Sequence, residues 1–290
     1  MKMLVTGVTG KVGSRFVPRL LQWANGPEDE VRVLVRTAEK GAPAAALGAV
    51  PVVGDLRDEE ARRKALAGVD TVIHIAASFR GVPDEEAYAV NHEATIGFAR
   101  DAVAEGVGRF VFTSTGLVYG PGRGRPAVEE DEPQAGGALD GAYPQSKRDA
   151  ERELLELHRE TGLDLRIARL PFVYGEGDDH LAQLPGFAAD WPAHRRMSFG
   201  HHADVAQALR LVLRADAATA AGRTYNVADD APVSAAEILE VTGTPVPEGM
   251  AERPLSDPWS GIVSNRRLRD ELGFSPLYPS IWAARAAGAL

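Results

Sequence analysis

The segment Thr6-Gly7-Val8-Thr9-Gly10-Lys11-Val12-Gly13 constrains this chain more than any other part of it. Three glycines fill a turn between a short apolar run, Met3–Thr6, and a stretch in which Val12, Phe16, Leu20 and Trp23 recur at helical spacing. A strand that turns on glycines straight into a helix bends tightly and lets a pyrophosphate approach its backbone. The helix N-terminus then offers amide donors and the positive end of its dipole. Gly7, Thr9, Gly10, Lys11, Val12 and Gly13 are therefore the expected phosphate cradle of a dinucleotide.

The rest of the chain continues that rhythm. Val31–Val35, Val50–Val53, Thr71–Ile75 and Arg109–Thr113 read as buried strands, with helical stretches near Asp58–Leu66 and Glu85–Glu105 between them. A helix over Gln145–Thr161 and a strand over Leu163–Leu170 resume the pattern after a long polar connection, Gly120–Gly141, whose length marks it as functional. Strands alternating with helices imply an α/β fold, a doubly wound parallel sheet of the Rossmann-like kind covered on both faces. Beyond Tyr174 the rhythm breaks. Gly175–Gly200 mixes Pro, Gly, Trp and charges, Ala203–Leu213 is helical, Thr224–Val227 reads as a late strand, and helices are expected near Ser234–Val241 and Asn265–Leu272. The expected division is a dinucleotide-binding domain of residues 1–174 and 201–228, with a small irregular substrate-binding lobe of residues 175–200 and 229–290.

Charge and composition remove several other classes. A net charge of −9, with basic residues scattered rather than clustered, argues against nucleic acid, whose phosphates demand a basic stripe. The absence of cysteine excludes thiolate metal sites and disulfides, and no apolar run approaches the ~20 residues of a membrane span. The expected partner is a small-molecule substrate and the expected location cytoplasmic. Neighbouring His201 and His202 point apart and belong to no set of three or four ligands, so no metal is expected, and His74 lies inside a buried strand as a structural residue.

The second strand of such a fold ends beside the adenosine ribose. An acidic residue there favours a free 2′-hydroxyl, whereas arginine accommodates a 2′-phosphate. Here the strand ends in Arg36, which with Lys11 favours NADP over NAD. Gly54-Asp55-Leu56, after the third strand, places a carboxylate where an adenine amino group could be read, an ordinary turn aspartate being the competing reading. Tyr143 and Lys147 stand four residues apart at the start of a helix, so the ammonium sits one turn along the same face from the phenol. Pro144 suits the first helical turn, and a nearby cation stabilises phenolate, as a general acid/base requires.

These pieces together resemble an extended short-chain dehydrogenase/reductase, the superfamily that contains nucleotide-sugar epimerases and dehydratases. The matching motifs run in order: TGVTGKVG at Thr6–Gly13, GDL at Gly54–Leu56, HIAAS at His74–Ser78, Asn91 in VNHEAT, TSTGLVYG at Thr113–Gly120, YPQSK at Tyr143–Lys147, RLPFVYG at Arg169–Gly175 and HHADVAQAL at His201–Leu209. The resemblance implies that Tyr143 is the acid/base and that Lys147 binds the nicotinamide ribose and lowers the tyrosine pKa. It implies that Thr115 holds the substrate oxygen, with Ser114 as its nearest rival, that Ala76, Ala77 and Ser78 line the cofactor, and that Pro171 packs against the nicotinamide. Asn91 matches an asparagine that braces the sheet beside the site, a helix-capping role being the alternative. A homodimer through the helices near Glu85–Glu105 and Gln145–Thr161 is likewise implied.

Two departures bear on the reaction. The sugar-nucleotide dehydratases carry an acidic pair directly after the threonine, where this chain has Gly116 and Leu117, which disfavours dehydration by that route. Arg195 and Arg196 stand near the family's diphosphate-binding arginine but one residue out of register, and read as surface charges. The leading expectation is a reductase that moves hydride between NADP(H) or NAD(H) and a compact carbonyl or alcohol. An epimerase with tightly bound cofactor is the alternative, and a non-catalytic NADP(H)-binding redox sensor is a third reading that the intact Tyr/Lys pair opposes.

Overall fold

A computed structural model describes the chain from residue 1 to 290 except Asn25, Pro27, Arg80 and Ala138. Its centre is a seven-stranded sheet built from β1 (Lys2–Thr6), β2 (Glu30–Val35), β3 (Val50–Val53), β4 (Thr71–His74), β5 (Arg109–Thr115), β6 (Asp164–Leu170) and the strand Arg223–Asn226. From one edge to the other the order is Arg223–Asn226, β6, β5, β4, β1, β2, β3. The pairs β1–β2, β2–β3, β1–β4 and β4–β5 are parallel, with Met3 opposite both Val31 and Thr71 and Val35 opposite Val53. The order therefore reverses at β1, which opens a crevice beyond its carboxyl end.

The helices are α1 (Lys11–Trp23), α2 (Ala38–Ala46), α3 (Glu59–Leu66), α4 (Asp84–Tyr88), α5 (Thr95–Ala104) and α6 (Ala142–Thr161). Strands covered on both faces carry near-continuous apolar residues, and every residue of β4 and β6 is buried. Phe98, Phe110, Phe112, Leu154, Leu165 and Ile167 belong to one core cluster beneath α3, α5 and α6.

Two stretches differ from the sequence expectation. Glu85–Glu105 is not one regular helix: α4 runs into a π-helical turn, Ala89–Ala94, before α5 begins. The Thr95 hydroxyl donates to Val90 O (3.3 Å), five residues back, and π-bulges of this kind cluster at functional positions. α2 was hidden by Gly41 and Pro43, poor helix residues. A Cβ on Gly41 would stand 2.9 Å from the Pro51 Cβ, so the glycine lets α2 pack closely on β3.

The chain divides into two compact units. The first comprises Met1–Ser114, Gly141–Ala168 and Val212–Thr224, and the second Thr115–Asp140, Arg169–Leu211 and Tyr225–Leu290. The long connection expected on sequence to go with the dinucleotide-binding part thus falls mostly in the second unit. Within that unit, Phe172–Tyr174 pairs in parallel with Phe199–His201, and Val233–Ser234 pairs antiparallel with Arg196–Met197. An apolar cluster including Tyr174, Phe199, Ile238, Leu239 and Ile281 fills its interior. Among the described residues, no helix is long and apolar enough to cross a membrane.

Asp164 and Arg166 of β6 survive burial because they are paired. Arg166, fully buried, closes a fork on Asp164, with Nε and Nη2 each 2.8 Å from a carboxylate oxygen, and Arg109 Nε donates to the same carboxylate at 2.8 Å. These guanidinium bonds hold the Asp164 carboxyl below its ordinary pKa against the opposing effect of its burial. Removing one member of such a set strands the others' charge away from water. Asp164→Ala is expected to destabilise the protein by about 3–5 kcal/mol, read as a lower urea midpoint, and a midpoint matching the parent would refute the assignment.

Candidate active site

Glycine is required by close approach at two positions of the first turn. Gly7 has φ +72°, and a Cβ there would stand 2.5 Å from Ala76 N; a Cβ on Gly13 would stand 2.2 Å from Gly7 O. Gly10 N donates to Gly7 O at 3.1 Å, and Gly10 is the N-cap of α1. Among the described residues, no side chain caps α1 and its first turn carries no carboxylate. Thr9, Gly10 and Lys11 are exposed there, with Val12 and Gly13 completing the turn. A backbone cradle that side chains would fill, opening on an uncapped helix N-terminus, fits a pyrophosphate.

Behind the turn lies a closed hydrogen-bond chain. Ala76 N donates to Thr6 Oγ1 (3.2 Å), Thr6 Oγ1 meets His74 Nδ1 (2.8 Å), His74 Nε2 meets Thr95 Oγ1 (2.9 Å), and Thr95 Oγ1 donates to Val90 O. Since Thr95 gives its proton to a carbonyl, it accepts from His74, which fixes the neutral Nε2–H tautomer with Nδ1 accepting from Thr6. Burial, reinforced by the Lys147 charge, lowers the His74 pKa to about 3 and keeps the ring neutral. His74 is structural, as its place in a buried strand implied.

Asn91, fully buried in the π-helical turn, performs the bracing role rather than capping a helix. Its Oδ1 accepts from Ser78 N (2.7 Å), and its Nδ2 donates to Ser78 O (2.9 Å) and Ser146 Oγ (3.2 Å). Ser146 Oγ in turn donates to Tyr143 O at 3.0 Å. The Ala76-Ala77-Ser78 segment and the first turn of α6 are thereby fastened to one amide.

α6 begins at Ala142, with Pro144 in its first turn. Tyr143 is half-buried, its ring edge-on to Phe79 with centroids 4.5 Å apart. Lys147 is only 1% exposed; its Nζ donates to Thr113 O at 2.9 Å and stands 4.4 Å from the centre of the Phe112 ring. Desolvation lowers its pKa from 10.5 to about 7, with Glu151 opposing the shift. Residues of a strand alternate between faces, so Ser114 shares the face of Phe110 and Phe112, on which Lys147 lies. The Ser114 hydroxyl is buried and has no hydrogen-bond partner among the described residues. The next residue, Thr115, is the first of the second unit, and its Oγ1 accepts from Leu117 N at 3.2 Å.

At the other end of the turn, Arg36 is exposed directly after β2. Arg57, which sequence reasoning passed over, holds Asp55 through its backbone N (2.9 Å), Nε (3.0 Å) and Nη2 (2.7 Å), and these bonds hold the Asp55 carboxyl at about 2. Leu56 packs partly buried against the core. The first unit thus brings together Gly7–Gly13, Arg36, Asp55, Ala76–Ser78, Ser114, Tyr143 and Lys147, while Thr115 and Pro171 belong to the second. Thr6, Thr95 and Ser146 were missed because a buried hydroxyl carries no sequence signal until its partner is known. In the second unit Arg195 stacks on Trp191, His201 Nε2 meets Ala289 O, and His202 Nε2 meets Asp178 Oδ2. No group of three or more possible metal ligands occurs among the described residues.

A glycine-turn dinucleotide cradle at a strand-order reversal, together with a buried lysine one helical turn from a tyrosine, defines a nucleotide-dependent oxidoreductase of the Rossmann-like class. The model of the NAD dependent epimerase/dehydratase family matches residues 3–228, and the chain belongs to that family. It is an NAD(P)-dependent enzyme of the extended short-chain dehydrogenase/reductase type. A 4-hydroxy-2-methyl-3-oxo-4-farnesyl-3,4-dihydroquinoline-1-oxide ketoreductase of Stigmatella aurantiaca is 33% identical over 182 residues, 61% of this chain and 52% of that protein, so the match spans about half of that relative's length. A dTDP-glucose 4,6-dehydratase of Streptomyces griseus is 31% identical over 299 residues, covering 94% and 89%. Among solved structures, the dTDP-glucose 4,6-dehydratase DesIV of Streptomyces venezuelae, with NAD and TYD bound, has a TM-score of 0.80 at 26% identity and covers 99% of this chain and 95% of its own.

The burial of Lys147 makes stability depend on pH. Between pH 7 and the free-lysine value of 10.5 the unfolded chain holds a proton that the folded chain has released, so the penalty of burying this group fades, and stability rises, as pH rises through that window. Lys147→Met removes the dependence. The unfolding free energy of the parent relative to Lys147→Met is expected to increase from pH 6.5 to pH 9 in urea titrations, and parallel curves would refute it.

Proposed function

We propose that this enzyme is a carbonyl reductase, running in reverse as an alcohol dehydrogenase, that prefers NADP(H) and acts on a compact substrate. When bound, the nicotinamide supplies or accepts the hydride. The observation that carries the reading is the buried Lys147 on the same helix as Tyr143, anchored to the carbonyl of Thr113 at the end of β5. A lysine here has few reasons to be desolvated other than to place positive charge beside a phenol and a ribose. Tyr143 gives its proton to the carbonyl oxygen as negative charge builds there, and takes it back in the oxidative direction. Thr115 is assigned to the same oxygen as a second donor, with Ser114 as its rival for that role. Gly7–Gly13 hold the pyrophosphate, Asp55 faces the adenine, Ala76–Ser78 and Pro171 line the cofactor, and Arg36 with Lys11 meets a ribose 2′-phosphate.

Residues 175–200 and 229–290 are assigned to substrate recognition, and a homodimer is assigned to the helical face formed by residues 84–105 and α6. Gly116 and Leu117 supply neither the acid nor the base that a dehydratase needs after its threonine. An epimerase remains the second reading, favoured by the family match. Net change in NADPH absorbance separates the two, because an epimerase returns its hydride within one turnover.

On a substrate found by screening carbonyl compounds and alcohols with each cofactor, Tyr143→Phe is expected to lower kcat by about 10²–10⁴ with cofactor affinity nearly unchanged. Thr115→Ala is expected to lower it by about 10²–10³. Turnover of Tyr143→Phe within a few-fold of the parent would refute the mechanism. Arg36→Ala is expected to weaken NADPH binding and spare NADH, and equal loss for both would refute the assigned preference.

A further inference from the structure

Arg36 and Asp55 leave neighbouring strands from the same end. β2 and β3 are parallel with Val35 opposite Val53, and Gly54 N donates to Val35 O at 2.8 Å, which brings the residue after β2 alongside the Gly54-Asp55 turn. A free carboxylate at that point would offset the Arg36 charge and repel a 2′-phosphate, which carries about −1.5 to −2 near neutral pH. The Asp55 carboxylate is not free. Arg57 closes on it as a fork, Nε to Oδ1 at 3.0 Å and Nη2 to Oδ2 at 2.7 Å, and the Arg57 amide adds a third bond to Oδ1 at 2.9 Å. The two side chains are 54% and 34% exposed, and an ion pair so open to water contributes little to folding. Its consequence is electrostatic: pairing with a guanidinium makes the field of the carboxylate weaker and shorter-ranged than that of a lone charge.

We propose that Arg57 is a specificity-determining residue, cancelling the Asp55 charge so that Arg36 is left uncompensated and selects a cofactor phosphorylated on the adenosine ribose. The proposal rests on the NADP(H) preference assigned to Arg36. It assigns Arg57 no contact with the phosphate. Loss of Arg57 therefore costs NADPH affinity only while Asp55 keeps its charge, and leaves NADH, which has no 2′-phosphate, nearly unaffected.

Dissociation constants for NADPH and NADH, from fluorescence titration at low and high salt, test this with the full-length parent, Arg57→Ala, Arg57→Gln, Arg57→Ala/Asp55→Asn and Arg36→Ala. Both single Arg57 variants are expected to lose five- to tenfold in NADPH over NADH selectivity at low salt, on the order expected for one uncompensated surface charge, and less at high salt. The double variant is expected to regain the parent's selectivity. Unchanged selectivity in a folded Arg57 variant, judged by circular dichroism, overturns the proposal. So does a double variant that keeps the loss, since Arg57 would then be touching the phosphate itself. A parent that binds NADH as tightly as NADPH, with Arg36→Ala without effect, overturns the cofactor preference and the proposal with it; a parent that prefers NADPH while Arg57→Ala does too, undiminished, overturns the proposal alone.

Discussion

Two backbone segments that approach too closely for a side chain set the geometry on which the rest of this site depends. Gly7 lies against Ala76 and Gly13 against Gly7 O, each leaving no room for a Cβ. The first contact presses the end of β1 onto the segment leaving β4, at the place where the strand order reverses. The second presses the start of α1 onto the turn, so that helix amides rather than side chains form the floor of the crevice. Both contacts cost conformational entropy, and they leave backbone rather than side chain at the start of α1.

That geometry is tied to the reacting groups by polar residues inside the core. One chain of bonds runs from Ala76 N through Thr6, His74 and Thr95 to Val90 O; a second runs from Ser78 through Asn91 and Ser146 to Tyr143 O. Both meet the π-helical turn Ala89–Ala94. A regular helix there would rotate Asn91 relative to Thr95, so the extra residue per turn is what lets one short segment serve the sheet, the Ser78 segment and α6 together. Every donor and acceptor in these chains has its partner with His74 neutral, which is the condition under which buried polar groups rigidify a site instead of weakening it.

Features fixed by local physics were readable in the sequence. The parallel sheet followed from unbroken apolar runs, the cradle from glycines placed between a strand and a helix, and the Tyr143/Lys147 pair from spacing on one helix face. Features that depend on partners distant in sequence were not. α2 was disguised because Gly41 answers to Pro51 on β3, and the π turn because nothing in VNHEAT states that Asn91 is needed inward. Arg57 stood two residues from Asp55 in plain view, yet adjacent opposite charges are common on surfaces and only the bidentate geometry gives this pair a meaning. The boundary of the second unit at Thr115 was also invisible, since β5 continues through it without a break in pattern.

The electrostatics of the first unit separate into two regimes. Beyond the ends of β2 and β3 the charges of Arg36, Asp55 and Arg57 are wholly or partly exposed, with Asp55 and Arg57 paired, so their influence is short-ranged and salt-dependent. At the start of α6 Lys147 is buried against a carbonyl and an aromatic ring, and its desolvation, only partly offset by Glu151, opposes its charge. An amine held near its midpoint at neutral pH responds strongly to any negative charge brought beside it, because forming the ammonium then relieves a penalty already present in the fold. In the proposed mechanism, a phenolate developing on Tyr143 is such a charge. Burying the lysine makes it a poor stabiliser of the resting protein and, for the same reason, a strong one for the state in which the tyrosine has given up its proton.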